Sequence, residues 1–210
     1  MIKIIATLLT FFAFSLSQAK EVKVGIILGF TGPIESLTPD MAAGAELAFK
    51  EASASGELLN GSTITPIRAD STCIDSAAAA SAAESLISQG VTAIMGADCS
   101  GVTGAVLSNV AVPNGVPMIS PSATSPALTT AEDNGLFFRT APSDARGGEV
   151  LADITSSRGI TSVAITYVNT DYGVGLADVY EAAAKARGIE VTAKTAHEGD
   201  KADYLSLIHI

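Results

Sequence analysis

The chain has 210 residues, 48% hydrophobic and 16% charged, which is enough apolar content to bury a core and too little charge for a disordered tail. Lys and Arg number 12 against 22 Asp and Glu, a net charge of -10, and the basic residues are scattered singly. No patch is available to neutralise a phosphate backbone, so nucleic acid is excluded as a partner. Nineteen Gly, no Trp and 5% aromatics favour small-residue packing of helices on a sheet over an aromatic-rich sandwich, and the expected class is α/β.

The first residues read as a separate object. Lys3 is followed by an apolar stretch over 4–16, and Ser17-Gln18-Ala19 places small residues where a leader peptidase needs them. Thirteen residues fall short of the roughly 20 that span a bilayer as a helix, so 1–19 is expected to be a secretory signal cleaved after Ala19. Export into an oxidising compartment makes Cys73 and Cys99 a candidate disulfide, the alternative being two reduced core cysteines.

From Val22 the pattern alternates strand-length apolar runs, polar turns and longer helical stretches. A first strand is expected over 22–28 and a helix from Thr38, with Thr38 as its cap, Pro39 at its first position and Asp40 in its first turn, to about Ser53. A second strand follows at 64–69. Asp75 caps an Ala-rich helix that stops at Gly90, and a third strand (91–95), a helix (100–112) and a short strand (117–119) complete the unit. The pattern then restarts with Phe137-Phe138-Arg139, a helix (144–158), a strand (162–168), a helix (173–187) ending at Gly188, and a strand (189–193). Such alternation implies right-handed crossovers and parallel sheets. The boundary between two lobes is placed near Ala141-Pro142-Ser143, giving an N-terminal α/β lobe at 20–141 and a second at 142–210. Three strands and two helices cannot cover both faces of a parallel sheet, so the second lobe is expected to be incomplete and the chain to stop early.

In an open parallel sheet ligands bind outside the carboxyl ends of the strands. The loops there are rich in hydroxyls: Gly29 to Pro33, Asp70-Ser71-Thr72-Cys73, Ala97-Asp98-Cys99-Ser100, Ser120 to Ser125 and Asn169-Thr170-Asp171-Tyr172. Cys73 and Cys99 follow the ends of the second and third strands, read as neighbours, so that one bridge could tie two ligand-facing loops together. Neither Gly-x-Gly-x-x-Gly nor a P-loop follows the first strand, which argues against a nucleotide cofactor. No Gly-x-Ser-x-Gly is present, and the only histidines are His197, read as a solvated loop residue, and His209. Too few soft ligands remain for zinc, and no metal or cofactor is expected. A binding chemistry is left: the N–H and hydroxyl of Ser100 at a helix start suit a carboxylate, Thr124 offers a second hydroxyl and N–H, and the Ser122 carbonyl suits an ammonium. The competing reading is that Ser100 only begins its helix and Thr124 only stabilises a turn.

Gly29-Phe30-Thr31-Gly32-Pro33, Gly44-Ala45-Glu46-Leu47-Ala48, Asp70-Ser71-Thr72-Cys73, Met95 to Ser100, Met118 to Leu128 and Asp171-Tyr172-Gly173-Val174-Gly175 together carry a recognisable pattern. From Val22 to about Tyr204 the chain resembles the leucine/isoleucine/valine-binding family of periplasmic proteins, the type I solute-binding components of ABC importers. The resemblance implies a two-lobe periplasmic-binding-protein type I fold with parallel sheets flanked by helices. It implies a Cys73–Cys99 bridge, Ser100 as carboxylate ligand, the Ser122 carbonyl on the ligand ammonium, Thr124 contributing hydroxyl and N–H, and Tyr172 closing over the ligand from the second lobe. Leu37 stands where many members have an aromatic, and the acid that pairs with the ammonium falls beyond Ile210. Residues 205–210 depart from the amphipathic helix expected there. The expected function is non-enzymatic: a monomeric periplasmic receptor that closes on a branched-chain or other amino acid and docks on a membrane permease. The alternatives are a sensor of amides, urea or aromatic acids on the same fold, and an exported α/β enzyme.

Overall fold

The computed structural model describes residues 20–199, 201 and 203–205, so the expected leader and residues 206–210 lie outside the described residues. Five parallel strands form the first sheet: β1 (Glu21–Leu28), β2 (Thr63–Asp70), β3 (Ala93–Gly96), β4 (Met118–Ser120) and β5 (Phe137–Arg139), in the order β2-β1-β3-β4-β5. β1 lies between β2 and β3 and is buried on both faces along its second half, as an interior strand of a parallel sheet must be. Its Ile26 and Leu28 meet Ala42 and Phe49 of α1 (Thr38–Ser55), while Ile27 joins the larger core with Leu86 of α2 (Ser76–Ser88) and Val102 and Val106 of α3 (Ser100–Val106).

Several helix ends form for local reasons. The Asp75 carboxylate accepts from the N–H groups of Ala77 and Ala78, capping α2 as its position before the alanine run predicts. Thr38 does not cap α1; it lies within the first turn, is fully buried, and its hydroxyl donates to the Gly29 carbonyl at 2.9 Å. The expected helix from Ser100 is interrupted, since α3 gives way to a π turn (Leu107–Ala111) and a final short helix, α4 (Val112–Asn114).

The second sheet pairs β6 (Ser162–Val168) with β7 (Glu190–His197) in parallel, with α5 (Asp144–Ser157) and α6 (Asp171–Ala186) packed on each other. Thr170 caps α6 by accepting from Gly173 N–H, which starts the helix two residues before the expected position. His197 ends β7 and stacks edge-on against Tyr204, with ring centroids 4.9 Å apart, instead of lying in a loop.

The Phe137–Arg139 strand, expected to open the second unit, belongs to the first sheet: Met118, Ile119 and Ser120 pair with Phe137, Phe138 and Arg139. A three-residue strand has no period from which to read its partner, and here the β4 edge supplies it. The second sheet is therefore two-stranded among the described residues.

Candidate ligand-binding site

Strand order reverses at β1 and β3, so the loops leaving their carboxyl ends diverge to opposite faces and open a crevice between them. Asp98, in the loop after β3, organises that crevice. It is 2% exposed, and its carboxylate accepts from the Gly29 N–H at 2.6 Å, the Ser71 hydroxyl at 3.1 Å and its own neighbour Cys99 N–H at 2.9 Å. One side chain thus holds the loops after β1, β2 and β3. Asp70 adds a second tie, accepting from the Thr31 hydroxyl at 2.6 Å and the Thr72 N–H at 2.8 Å. Burial pushes the Asp70 carboxyl up, but the hydrogen bonds from the Thr31 hydroxyl and from the N–H groups of Thr72, Thr31 and Phe30 outweigh it and leave it below its ordinary value.

Cys73 and Cys99 form a disulfide with their Cα atoms 5.2 Å apart. Reading β2 and β3 as neighbours is incorrect, because β1 lies between them. The bridge instead crosses over the end of β1, where a Cβ on Gly29 would come within 3.2 Å of the Cys73 Cβ. A Cβ there would be tighter than ordinary van der Waals contact, so a side chain at this position would require the bridge to give by a few tenths of an ångström.

The second wall of the crevice is the segment after β4. The Ser120 hydroxyl donates to the Ala97 carbonyl at 2.5 Å, and the Ser122 hydroxyl donates to the Asp98 carbonyl at 3.0 Å. Arg139 of β5 grips the same segment, donating to the carbonyls of Ala123 at 3.2 Å and Ser125 at 2.9 Å, on either side of Thr124. The Ser125 N–H donates to the Ser100 hydroxyl oxygen at 3.1 Å, and the Asp144 N–H donates to the Thr124 carbonyl at 3.0 Å. Ser100, Thr124, Ser125 and Asp144 are thereby joined in one cluster.

Its remaining capacity is specific. The N–H groups of Ser100, Gly101 and Val102 precede the first intrahelical bond, which Thr103 N–H makes to the Cys99 carbonyl at 2.9 Å. They carry the positive end of the helical run and suit an anion. Two buried oxygens of the cluster, Ser125 Oγ and Asp144 Oδ2, have no hydrogen-bond partner among the described residues. Asp144 also borders a shallow groove of about 440 Å³ with Thr124, Pro142, Ser143 and Arg146. Buried polar atoms are seldom left unpaired, so the Asp144 oxygen is a candidate acceptor for a donor, whereas Ser125 Oγ lies against Gly175 of α6.

The structure brings Ser100, Ser122 and Thr124 together on one wall. Ser100 is 4% exposed, with its hydroxyl oxygen already engaged by Ser125, whereas the Ser122 hydroxyl donates to the Asp98 carbonyl and its N–H to the Ser120 hydroxyl oxygen. Tyr172 lies in the first turn of α6, 44% exposed, on the helix that meets α3 and the Ser125-Pro126 corner. Three residues that matter to this site were not singled out from sequence: Asp98, Arg139 and Asp144. Asp144 carried a signal, since an acid just after the lobe boundary opens α5, but it reads equally as a first-turn acid that favours the helix dipole.

The chain matches the periplasmic binding protein family model over residues 21–209. It is 31% identical over 199 residues to the Leu/Ile/Val-binding protein homolog 3 of Brucella melitensis, covering 93% of this chain and 52% of that one. Among solved structures it is similar to the branched-chain amino acid transporter substrate-binding protein of Streptococcus pneumoniae in complex with isoleucine, at 28% identity and a TM-score of 0.75 over 90% of this chain and 53% of that one. A Rhodopseudomonas palustris solute-binding protein in complex with 3,4-dihydroxybenzoic acid shares the fold, at 22% identity and a TM-score of 0.76 over 90% of this chain and 50% of that one. The chain spans about half the length of the curated relatives it matches. The alternating α/β architecture, the crevice at the strand-order reversal and these similarities lead to one conclusion: the chain belongs to the periplasmic binding protein family.

Proposed function

We propose that this chain binds the zwitterionic head of an aliphatic amino acid between its two lobes, as the periplasmic solute-binding component of an ABC importer. The carboxylate sits at the start of α3, taking the Ser100 and Gly101 N–H groups, the Ser100 hydroxyl, and the hydroxyl and N–H of Thr124. The ammonium takes the Ser122 carbonyl and the Asp144 carboxylate, an acid additional to the one that the resemblance puts beyond Ile210. Tyr172 covers the ligand from the second lobe, and the closed form docks on a membrane permease.

The observation that carries this reading is the buried Asp144 Oδ2, without a partner among the described residues, on a residue whose N–H donates to the Thr124 carbonyl. A buried carboxylate oxygen without a donor is costly, and an ammonium supplies the missing donor together with its charge. An aromatic acid would place its carboxylate equally well at α3 but brings no cation for Asp144. Calorimetric titration with isoleucine tests the assignment: Asp144→Ala is expected to weaken binding by roughly tenfold or more, as loss of a hydrogen bond between charged groups implies. Unchanged affinity would remove Asp144 from the site.

A further inference from the structure

Helix α6 meets the first lobe at two glycines. A Cβ on Gly101, in the first turn of α3, would lie 3.4 Å from Asp171 Oδ2, and a Cβ on Gly175 would lie 3.0 Å from both Ser125 Oγ and Pro126 Cδ. The first approach is ordinary van der Waals contact, and the second leaves no room for a methyl group without movement. The Ser125-Pro126 corner is poorly placed to yield. Ser125 is 2% exposed, its N–H is bound to Ser100 and its carbonyl to Arg139, and the Pro126 ring opens the short turn Pro126–Thr129. A methyl group at Gly175 therefore needs a shift of a few tenths of an ångström at this contact, and a larger side chain presses α6 away from the corner.

Tyr172 and Gly175 are three residues apart in α6 and so share a face of the helix. We propose that Gly175 is a positioning residue that sets the separation of the lobes: its missing side chain lets α6 seat on the Ser125-Pro126 corner and brings Tyr172 over the Ser100 and Thr124 wall. The consequence for ligand affinity rests on the amino-acid reading given above, whereas the consequence for lobe separation does not.

Two readouts on the intact chain separate these. Spin labels at Ser88→Cys in α2 and Glu190→Cys in β7 report the distance between the lobes, and calorimetry reports isoleucine binding. Gly175→Val is expected to lengthen the label distance by a few ångströms and to weaken isoleucine binding roughly tenfold, the scale of one overpacked contact, with the melting temperature retained. In a Ser125→Ala, Pro126→Ala background, which clears the obstructing atoms, Gly175→Ala is expected to cost no further separation or affinity relative to that background. A lengthened distance in a protein that binds no isoleucine even with Gly175 intact supports the positioning role and overturns the amino-acid reading. An unchanged label distance in Gly175→Val overturns the positioning role, as does an Ala effect of the same size in both backgrounds.

Discussion

Asp98 shows how one side chain can tie three loops together. Its carboxylate satisfies donors from three loops while almost fully buried, so its removal leaves the Gly29 and Cys99 N–H groups and the Ser71 hydroxyl without their acceptor. Each buried group left unsatisfied costs about 1–3 kcal/mol, and Asp98→Ala is therefore expected to lower stability by about 3 kcal/mol or more in chemical denaturation. Asp98→Asn keeps one acceptor oxygen and is expected to cost less. Equal stability of Asp98→Ala and the parent chain would mean that the three loops are held by other contacts. Arg139 acts in the same manner on the opposite wall, fixing the carbonyls that flank Thr124 so that the Thr124 peptide is presented in one orientation.

At the scale of elements, the loops after β2 and β3 are tied across β1 by the Cys73–Cys99 bridge, which closes a segment 26 residues apart in sequence. Loop-closure entropy for a segment of that size is about 3–4 kcal/mol, so the double Cys73→Ser, Cys99→Ser variant is expected to lose about 3 kcal/mol in equilibrium unfolding, and a loss under 1 kcal/mol would show that Asp98 alone suffices to hold the crevice. In the second lobe, α6 and β7 are also linked at the surface by charge. Glu181 of α6 accepts from Lys185 at 2.6 Å and from Lys194 of β7 at 2.7 Å, and Lys194 also pairs with Asp178. The hydrogen bonds from Lys185 and Lys194 lower the Glu181 carboxyl from 4.5 to about 2. A carboxyl depressed on folding contributes stability that is present above its unfolded value and lost as pH falls through its folded value. Stability attributable to this link is thus expected to decline between about pH 4.5 and pH 2. Glu181→Gln should flatten the pH profile of unfolding in that window, and an unchanged profile would assign the acid sensitivity elsewhere.

For the whole molecule, the crevice exists because strand order reverses between β1 and β3, and that order is not written in any local pattern. What was legible follows from local chemistry: the Asp75 cap before an alanine run, the buried β1 as a continuous apolar stretch, and the hydroxyl-rich loops at strand ends. What was not legible is made by contacts between distant segments. Phe137–Arg139 looked like the start of a second unit because its pairing with β4 depends on where an edge lies, and β2 and β3 looked adjacent because β1 is inserted between them only in three dimensions. The Ser100 and Thr124 positions could be named from a hydroxyl at a helix start and a recognisable loop. Asp98, Arg139 and Asp144 could not be, since each ties segments distant in sequence, Asp98 to Gly29, Arg139 to Ser125 and Asp144 to Thr124.

The proposed site needs a ligand that carries both a carboxylate and an ammonium. Its most direct test is calorimetric titration of the chain with isoleucine and, separately, with 3,4-dihydroxybenzoate at neutral pH. Saturable isoleucine binding with a raised melting temperature, and no binding of the aromatic acid, is the predicted result, because ligand bound only to the folded form stabilises it. Saturable binding of 3,4-dihydroxybenzoate with none of isoleucine would contradict the account, since it would leave the Asp144 carboxylate without the cation that the site is proposed to hold.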